Sequence, residues 1–282
     1  MEGFISKIVS GRYEVNVDDV IYPCRARGLF RIKDIVPMVG DNVIFDEKEL
    51  YLIDIKDRKN QFMRPQISNV DNVIIVASAK EPVISLSHIS RYITLSIISN
   101  VTPIIVLSKI DLDKKKNYLN IYEELTKKGY KVIPYSSITL EGLDEIKKCL
   151  SNNKTIFTGQ SGVGKSSLIN QLLGEDKQDT SKISISRGRG KHCTRVVEYI
   201  KYNDGYIGDT PGFSSIDFDI DPAYLATNYP GFEVGKCKFR NCLHDKEIGC
   251  FIKEEVNNGH ISEEYYENYL SLLHEIQKKE RY

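Results

Sequence analysis

Gly159-Gln160-Ser161-Gly162-Val163-Gly164-Lys165-Ser166 decides how this chain folds. It is a complete phosphate-binding loop, set between an apolar run at 155–157 and a helix-forming stretch at 166–173. That context is what the motif requires. Its glycines let backbone N–H groups close around phosphates, and the helix that follows points its positive end at them. Lys165 is placed to reach the β- and γ-phosphates, and the Ser166 hydroxyl to ligate Mg²⁺. Ser167 extends the cradle.

Working outward, Ser108-Lys109-Ile110-Asp111 follows an apolar run at 104–107. A carboxylate at Asp111 can accept two hydrogen bonds from guanine, from N1–H and from the exocyclic amine. Adenine offers no such pair. The Lys109 stem would cover the base. Ser108 stands where asparagine or threonine is usual and cannot reproduce every amide contact. Ser136 and Ser137, after the next apolar run, fit the loop whose backbone meets the guanine carbonyl. Downstream, Asp209-Thr210-Pro211-Gly212 follows a run at 205–208. Asp209 would hold Mg²⁺ through water, and Gly212 would offer its N–H to the γ-phosphate.

The order of these motifs is unusual. In most GTPases the phosphate loop comes first and the base-reading segment near the end. Here the base-reading segment comes first, which predicts a circularly permuted domain.

Apolar runs at 73–77, 104–107, 131–134 and 155–157 alternate with helical stretches at 86–98, 120–128 and 143–150. Unbroken apolar strands between amphipathic helices predict a parallel sheet covered on both faces. The domain is expected over 69–217, with two more strands at 196–202 and 205–208. Before it, residues 1–68 read as five short strands, at 4–9, 13–17, 21–26, 42–45 and 51–55. Turn residues separate them, which predicts a small barrel of the OB-fold kind. Arg25, Arg27, Arg31 and Lys33 form a basic stretch there, either a solvated loop or an RNA contact.

Residues 218–282 form the third expected domain. Cys237, Cys242, His244 and Cys250 are spaced as a closed site of three thiolates and one imidazole. That donor set suits one structural zinc ion. A short segment with little core would fold on the metal's binding energy. A final helix at 262–279 carries Tyr265, Tyr269, Leu272, Leu273 and Ile276 on one face, as packing residues.

Between the phosphate loop and Asp209 lies the segment 186–195, rich in glycine and charge. It reads as a mobile loop able to touch RNA. Thr194 is its candidate Mg²⁺ ligand. Phe213 directly follows Gly212, so no glutamine is placed to orient the attacking water, and intrinsic turnover should be slow. His192 is the nearest substitute; the alternative is a histidine facing solvent or RNA.

Composition sets outer bounds. The 282 residues hold 39 Lys plus Arg and 39 Asp plus Glu, so bulk charge gives no sign of a nucleic-acid partner. Only local patches can supply one. No apolar run reaches membrane-spanning length, and the start lacks a signal-peptide pattern, which points to a cytoplasmic protein with no membrane contact.

Together the motifs resemble the ribosome small-subunit-dependent GTPase A family, also called RsgA, YjeQ or YloQ. The resemblance covers the whole chain. It rests on the phosphate loop through Ser167, Gly188-Arg189-Gly190-Lys191-His192-Cys193-Thr194-Arg195, Asp209-Thr210-Pro211-Gly212-Phe213 and the cysteine–histidine quartet. Cys193 departs from the family's usual threonine, as Ser108 departs in the base motif. The resemblance implies a cytoplasmic assembly factor, expected to be a monomer. It would bind the 30S subunit and its 16S rRNA late in maturation, hydrolyse GTP when stimulated there, and then leave. Two other readings remain open: an RNA-binding module in which hydrolysis is incidental, and a permuted GTPase acting on another RNA or protein.

Overall fold

The structure is a computed structural model describing residues 1–26, 30, 36–63, 66–82, 86–175, 197–209 and 220–279. The chain divides into two compact units, Met1–Ile84 with Val101–Asp217, and Ser85–Asn100 with Phe218–Tyr282.

The first unit begins with a barrel. Strands β1 (Glu2–Val9), β2 (Arg12–Val17) and β3 (Val20–Ala26) form a meander. β5 (Tyr51–Ile55) pairs parallel to β3 and antiparallel to β4 (Asn42–Asp46). β4 returns to β1 and closes the ring. This order is that of the expected OB-like barrel. Ile5, Val15, Cys24, Val43, Phe45 and Leu52 fill it, with Phe30 beneath.

A short hairpin, β6 (Gln61–Met63) and β7 (Gln66–Ser68), leads out of the barrel. Its surroundings are fixed by a buried carboxylate. Asp41 accepts from Arg58 through both oxygens, at 2.7 and 2.8 Å, and also from the Ser68 hydroxyl and the Met38 N–H. A charge taken out of water needs such a full set of donors.

The nucleotide half follows as β8 (Asn72–Ser78), β9 (Thr102–Ser108), β10 (Lys131–Pro134) and β11 (Lys154–Thr158), all parallel, in the spatial order 10-9-8-11. β13 (Gly205–Asp209) extends the sheet parallel to β11, and β12 (Glu198–Tyr202) adds an antiparallel strand. β8 is buried at every residue, as a strand covered on both faces must be. Helix α3 (Leu143–Leu150) buries Leu143, Ile146 and Leu150, and α4 (Lys165–Glu175) buries Leu168 and Leu172. These spacings put each set on one helix face, against Ile74, Val76, Val106 and Phe157. Helix α2 (Tyr118–Lys127) starts where the Asp113 carboxylate accepts the Tyr118 N–H at 3.0 Å.

Barrel and nucleotide half share one sheet. β1 meets β12 at Lys7 and Glu198, which also form a salt bridge at 2.5 Å. Behind that contact Phe4 packs edge-on against Tyr206 at 4.8 Å, and the Lys154 ammonium lies 4.1 Å over the Phe4 ring. Burial pushes Lys154 down to about 8, although Asp71 and Asp41 pull the other way.

The second unit holds α1 (Leu86–Ile98), which follows β8 in sequence, together with α5 (Pro222–Asn228), α6 (Phe251–Asn257) and α7 (Glu263–Lys279). Asp221 caps α5 by accepting the Tyr224 N–H at 2.7 Å, with Pro222 in the first turn. Tyr229, Phe232, Tyr265 and Tyr269 pack ring against ring at its centre. Arg91 pairs with Glu275 across α1 and α7. The segment is only partly helical; turns and bends occupy most of the stretch between α5 and α6.

Candidate nucleotide site and metal cluster

The phosphate loop follows β11 and opens α4, as its sequence requires. Gly159 sits at φ 146°, and a Cβ there would stand 2.3 Å from the Val76 carbonyl oxygen, so the loop's entry admits no side chain. Gly164 adopts φ 94°, after which the Leu168 N–H donates to the Gly164 carbonyl and the helix begins. Val163 is fully buried and anchors the loop's floor. Burial pushes the Lys165 ammonium down to about 8; nearby phosphate charge would oppose that shift. Ser166 and Ser167 are exposed in the first turn. That position fits a Mg²⁺ ion arriving with a nucleotide, which a serine hydroxyl would ligate.

The base-reading segment lies at the same end of the sheet, after β9. Ser108 is buried, and its hydroxyl donates to the Val163 carbonyl at 2.5 Å. It therefore faces the phosphate loop. Lys109 takes a left-handed backbone, φ 58°, and its ammonium donates to the Glu81 carbonyl at 2.6 Å. Asp111 is exposed in the short turn of 3-10 helix that follows. The loop after β10 is tied to this turn by the Ile110 N–H, which donates to the Tyr135 carbonyl at 3.4 Å. The Ser136 hydroxyl accepts the N–H groups of Ile138 and Thr139, folding that loop back, while Ser137 is exposed.

The structure thus gathers residues 108–111, 136–137 and 159–167 at one sheet end despite the permuted order. It also adds a contributor that the motifs did not indicate. The segment after β8 supplies the Glu81 carbonyl to Lys109, and the Pro82 ring lies 3.6 Å from where a Gly162 Cβ would be. Its sequence signal was its place at the end of a parallel strand beside β11. His192, Thr194 and Gly212 lie outside the described residues, as do Arg27, Arg31, Lys33 and the side chain of Asp209.

In the second unit Cys237, Cys242, His244 and Cys250 bring their donor atoms within 4.8 Å of one another. The Cys237 and Cys250 sulfurs are 4.0 Å apart, and His244 Nδ1 lies 3.5 and 3.4 Å from them. Four ligands around zinc at Zn–S of ~2.3 Å would stand roughly 3.8 Å apart, so the cluster fits such an ion. The His244 Nε2–H donates to the Ala226 carbonyl at 3.3 Å, the tautomer that leaves Nδ1 free for a metal. Tyr266 and Tyr269 of α7 donate to the carbonyls of His244 and Leu243, bracing the ligand loop. Burial lowers His244 and raises Cys242 to about 12. A bound cation would reverse the thiol shift. No helix among the described residues is long and apolar enough to cross a membrane.

Comparison with known proteins gives a consistent picture. Residues 55–219 match the RsgA GTPase family and residues 2–50 the RsgA N-terminal domain. The chain is 42% identical to the small ribosomal subunit biogenesis GTPase RsgA of Halalkalibacterium halodurans, covering 99% of this chain and 98% of that one. It is 43% identical to the corresponding RsgA 2 of Oceanobacillus iheyensis, over 100% and 99% of the two chains. Among solved structures it resembles YjeQ from Thermotoga maritima, with TM-score 0.74, 31% identity and 98% of each chain covered. It also resembles YloQ, described as a circularly permuted GTPase, with TM-score 0.72, 35% identity, and 99% and 95% covered.

Proposed function

The chain belongs to the RsgA GTPase family of GTP-hydrolysing enzymes, and we propose that it binds the 30S ribosomal subunit and acts in its late maturation. The observation that carries this reading is end-to-end identity of 42–43% to relatives named for small-subunit biogenesis. GTP hydrolysis is stimulated by the 30S subunit and coupled to release of the factor. The protein works as a monomer in the cytoplasm and contacts 16S rRNA.

Within the site, the loop from Gly159 to Ser167 binds the phosphates. Lys165 supplies charge to the β- and γ-oxygens, and Gly212 reads the γ-phosphate. Asp111 reads guanine under the Lys109 stem, with the backbone of Ser136 and Ser137 at its carbonyl. Ser166, Thr194 and Asp209 hold Mg²⁺, which supplies charge neutralisation at the phosphates when bound. His192 is the candidate for orienting water. The cysteine–histidine quartet holds one zinc ion, which supports the fold of the second unit and takes no part in chemistry.

The test is the GTPase rate with 30S subunits, with 50S subunits and with neither. Stimulation by 30S alone is expected. Equal rates in all three would remove the small-subunit assignment. Lys165→Ala should abolish turnover in each condition.

A further inference from the structure

Strands β8 and β9 end side by side, and in their parallel register Ser78 stands opposite Ser108. Both serines are buried. Their hydroxyls go different ways. That of Ser108 reaches the phosphate loop, whereas that of Ser78 turns back on its own chain. It donates to the Lys80 carbonyl at 2.5 Å and accepts the Lys80 N–H at 3.2 Å. A serine hydroxyl that bonds the backbone two residues on closes a turn in this way. The Ala79 N–H donates to the Ser108 carbonyl at 2.8 Å and fastens the same turn to the base-reading segment.

What the turn delivers is a carbonyl. Lys80, Glu81 and Pro82 are exposed, and the Glu81 carbonyl accepts from the half-buried Lys109 through its ammonium at 2.6 Å. Glu81 and Lys109 both hold left-handed backbones, at φ 42° and 58°. That region is uncommon for residues other than glycine, and such residues persist where surrounding bonds fix them. Here the Ser78 hydroxyl and the Ala79 N–H supply those bonds. A lysine side chain has much rotamer freedom to lose when it is laid over a base. Held at both ends by protein contacts, the Lys109 side chain has less left to lose, and that difference appears as affinity.

We propose that Ser78 is a positioning residue for nucleotide binding: through the turn it closes, it holds Lys109 extended as the cover of the base. The proposal rests on the reading of Lys109 and Asp111 as the base site. Ser78 acts only through the bond from the Lys109 ammonium to the Glu81 carbonyl. The base is common to GTP and GDP, so Ser78 tightens both alike and leaves the reaction at the γ-phosphate untouched.

The experiment uses the full-length protein, titrated with fluorescent GTP and GDP analogues, with steady-state turnover measured alongside. Ser78→Ala should weaken both nucleotides about 5-fold, the size expected when one ordered side chain is released. KM for GTP should rise by the same factor at unchanged kcat, and the preference for GTP over ATP should survive. Lys109→Met keeps the stem, loses the ammonium and should weaken binding to a similar degree. In the double variant the two losses should not add, because each removes the same bond. Full affinity in Ser78→Ala beside a weakened Lys109→Met would overturn the proposal and leave the base site standing. Losses that add would also sink it, and would assign Ser78 another route, such as the Pro82 ring 3.6 Å from where a Gly162 Cβ would stand. A fall in kcat at constant KM would do the same. If Lys109→Met bound GTP as tightly as the unaltered protein, the lysine would not cover the base, and that reading would fall together with the proposal.

Discussion

The Ser108 hydroxyl donates to the Val163 carbonyl across 2.5 Å, joining the start of the base-reading segment to the middle of the phosphate loop. Both residues are buried, so the bond is shielded from competing water. The short serine side chain is thereby directed at the loop. On the proposed reading, base choice would then fall to Asp111, which is exposed at the same sheet end.

Separate roles for Ser108 and Asp111 give separable defects. Ser108→Ala leaves the Val163 carbonyl unpaired, at a cost of roughly 1–2 kcal/mol. GTP affinity should fall about 10-fold with the preference over ATP intact. Asp111→Asn should instead collapse that preference and favour xanthosine nucleotides. Titrating both variants with GTP, ATP and XTP checks this; a loss of base discrimination in Ser108→Ala would show that the serine reads the base.

Lys154 predicts a pH effect on stability. Its folded value of about 8 lies below its ordinary 10.5, so the native state sheds the proton first. Between these values the unfolded chain binds more protons, and stability rises with pH; below about 8 the full burial penalty is present, roughly 3 kcal/mol. Lys154→Met should therefore stabilise the protein most at pH 7, with the gain shrinking towards pH 10. Asp71 keeps a partner in Lys59 at 3.1 Å. Urea unfolding of both proteins at several pH values measures the difference, and a gain independent of pH would exclude the charge as its cause.

One zinc ion per chain is expected by metal analysis of protein prepared without chelator. The chain has no tryptophan, and Tyr229, Tyr265, Tyr266 and Tyr269 pack around Phe232 and His244. Chelation should therefore abolish much of the near-ultraviolet tyrosine dichroism while GTP binding survives. Cys242→Ser should mimic chelation.

Nucleotide state should be felt by the subunit. The chain runs from β13 through residues 210–217 to the second unit, so the proposed γ-phosphate contact at Gly212 would act on the segment that leads into it. Affinity for 30S should be higher with a non-hydrolysable GTP analogue than with GDP. By linkage, 30S must raise GTP affinity over GDP by the same factor. Equal 30S affinities for the two nucleotide states would reject the coupling while leaving the GTPase intact.

Much of this was legible in the sequence because it depends on local pattern. The five barrel strands and the parallel strands β8 to β11 announced themselves by short period-2 segments and by unbroken apolar runs. The phosphate loop needed only its glycines and its place between strand and helix. What stayed hidden depends on three-dimensional pairing. The amphipathic pattern of α1 says which face is buried but not that the C-terminal unit covers it. The rotamer of Ser108 cannot be read from its identity, so its turn toward Val163 was invisible. β1 and β12 meet at one residue pair, too little to leave a signal in either strand. The helices α5 and α6 are single short segments of seven residues inside a loop-rich stretch, below the length at which periodicity speaks.

The sheet order carries a consequence for synthesis. β8 is apolar or buried along its whole length, and it lies between β9 and β11. As the chain leaves the ribosome, β9 arrives soon after β8, but β11 does not. At elongation rates of ~5–20 residues per second, β8 waits on the order of ten seconds with one hydrogen-bonding edge unpaired. An open, apolar edge is what aggregation recruits. The permutation that brings the phosphate loop late also keeps this edge bare longer than an unpermuted order would. Nascent chains halted between β10 and β11 should therefore be the form of this protein most dependent on chaperones.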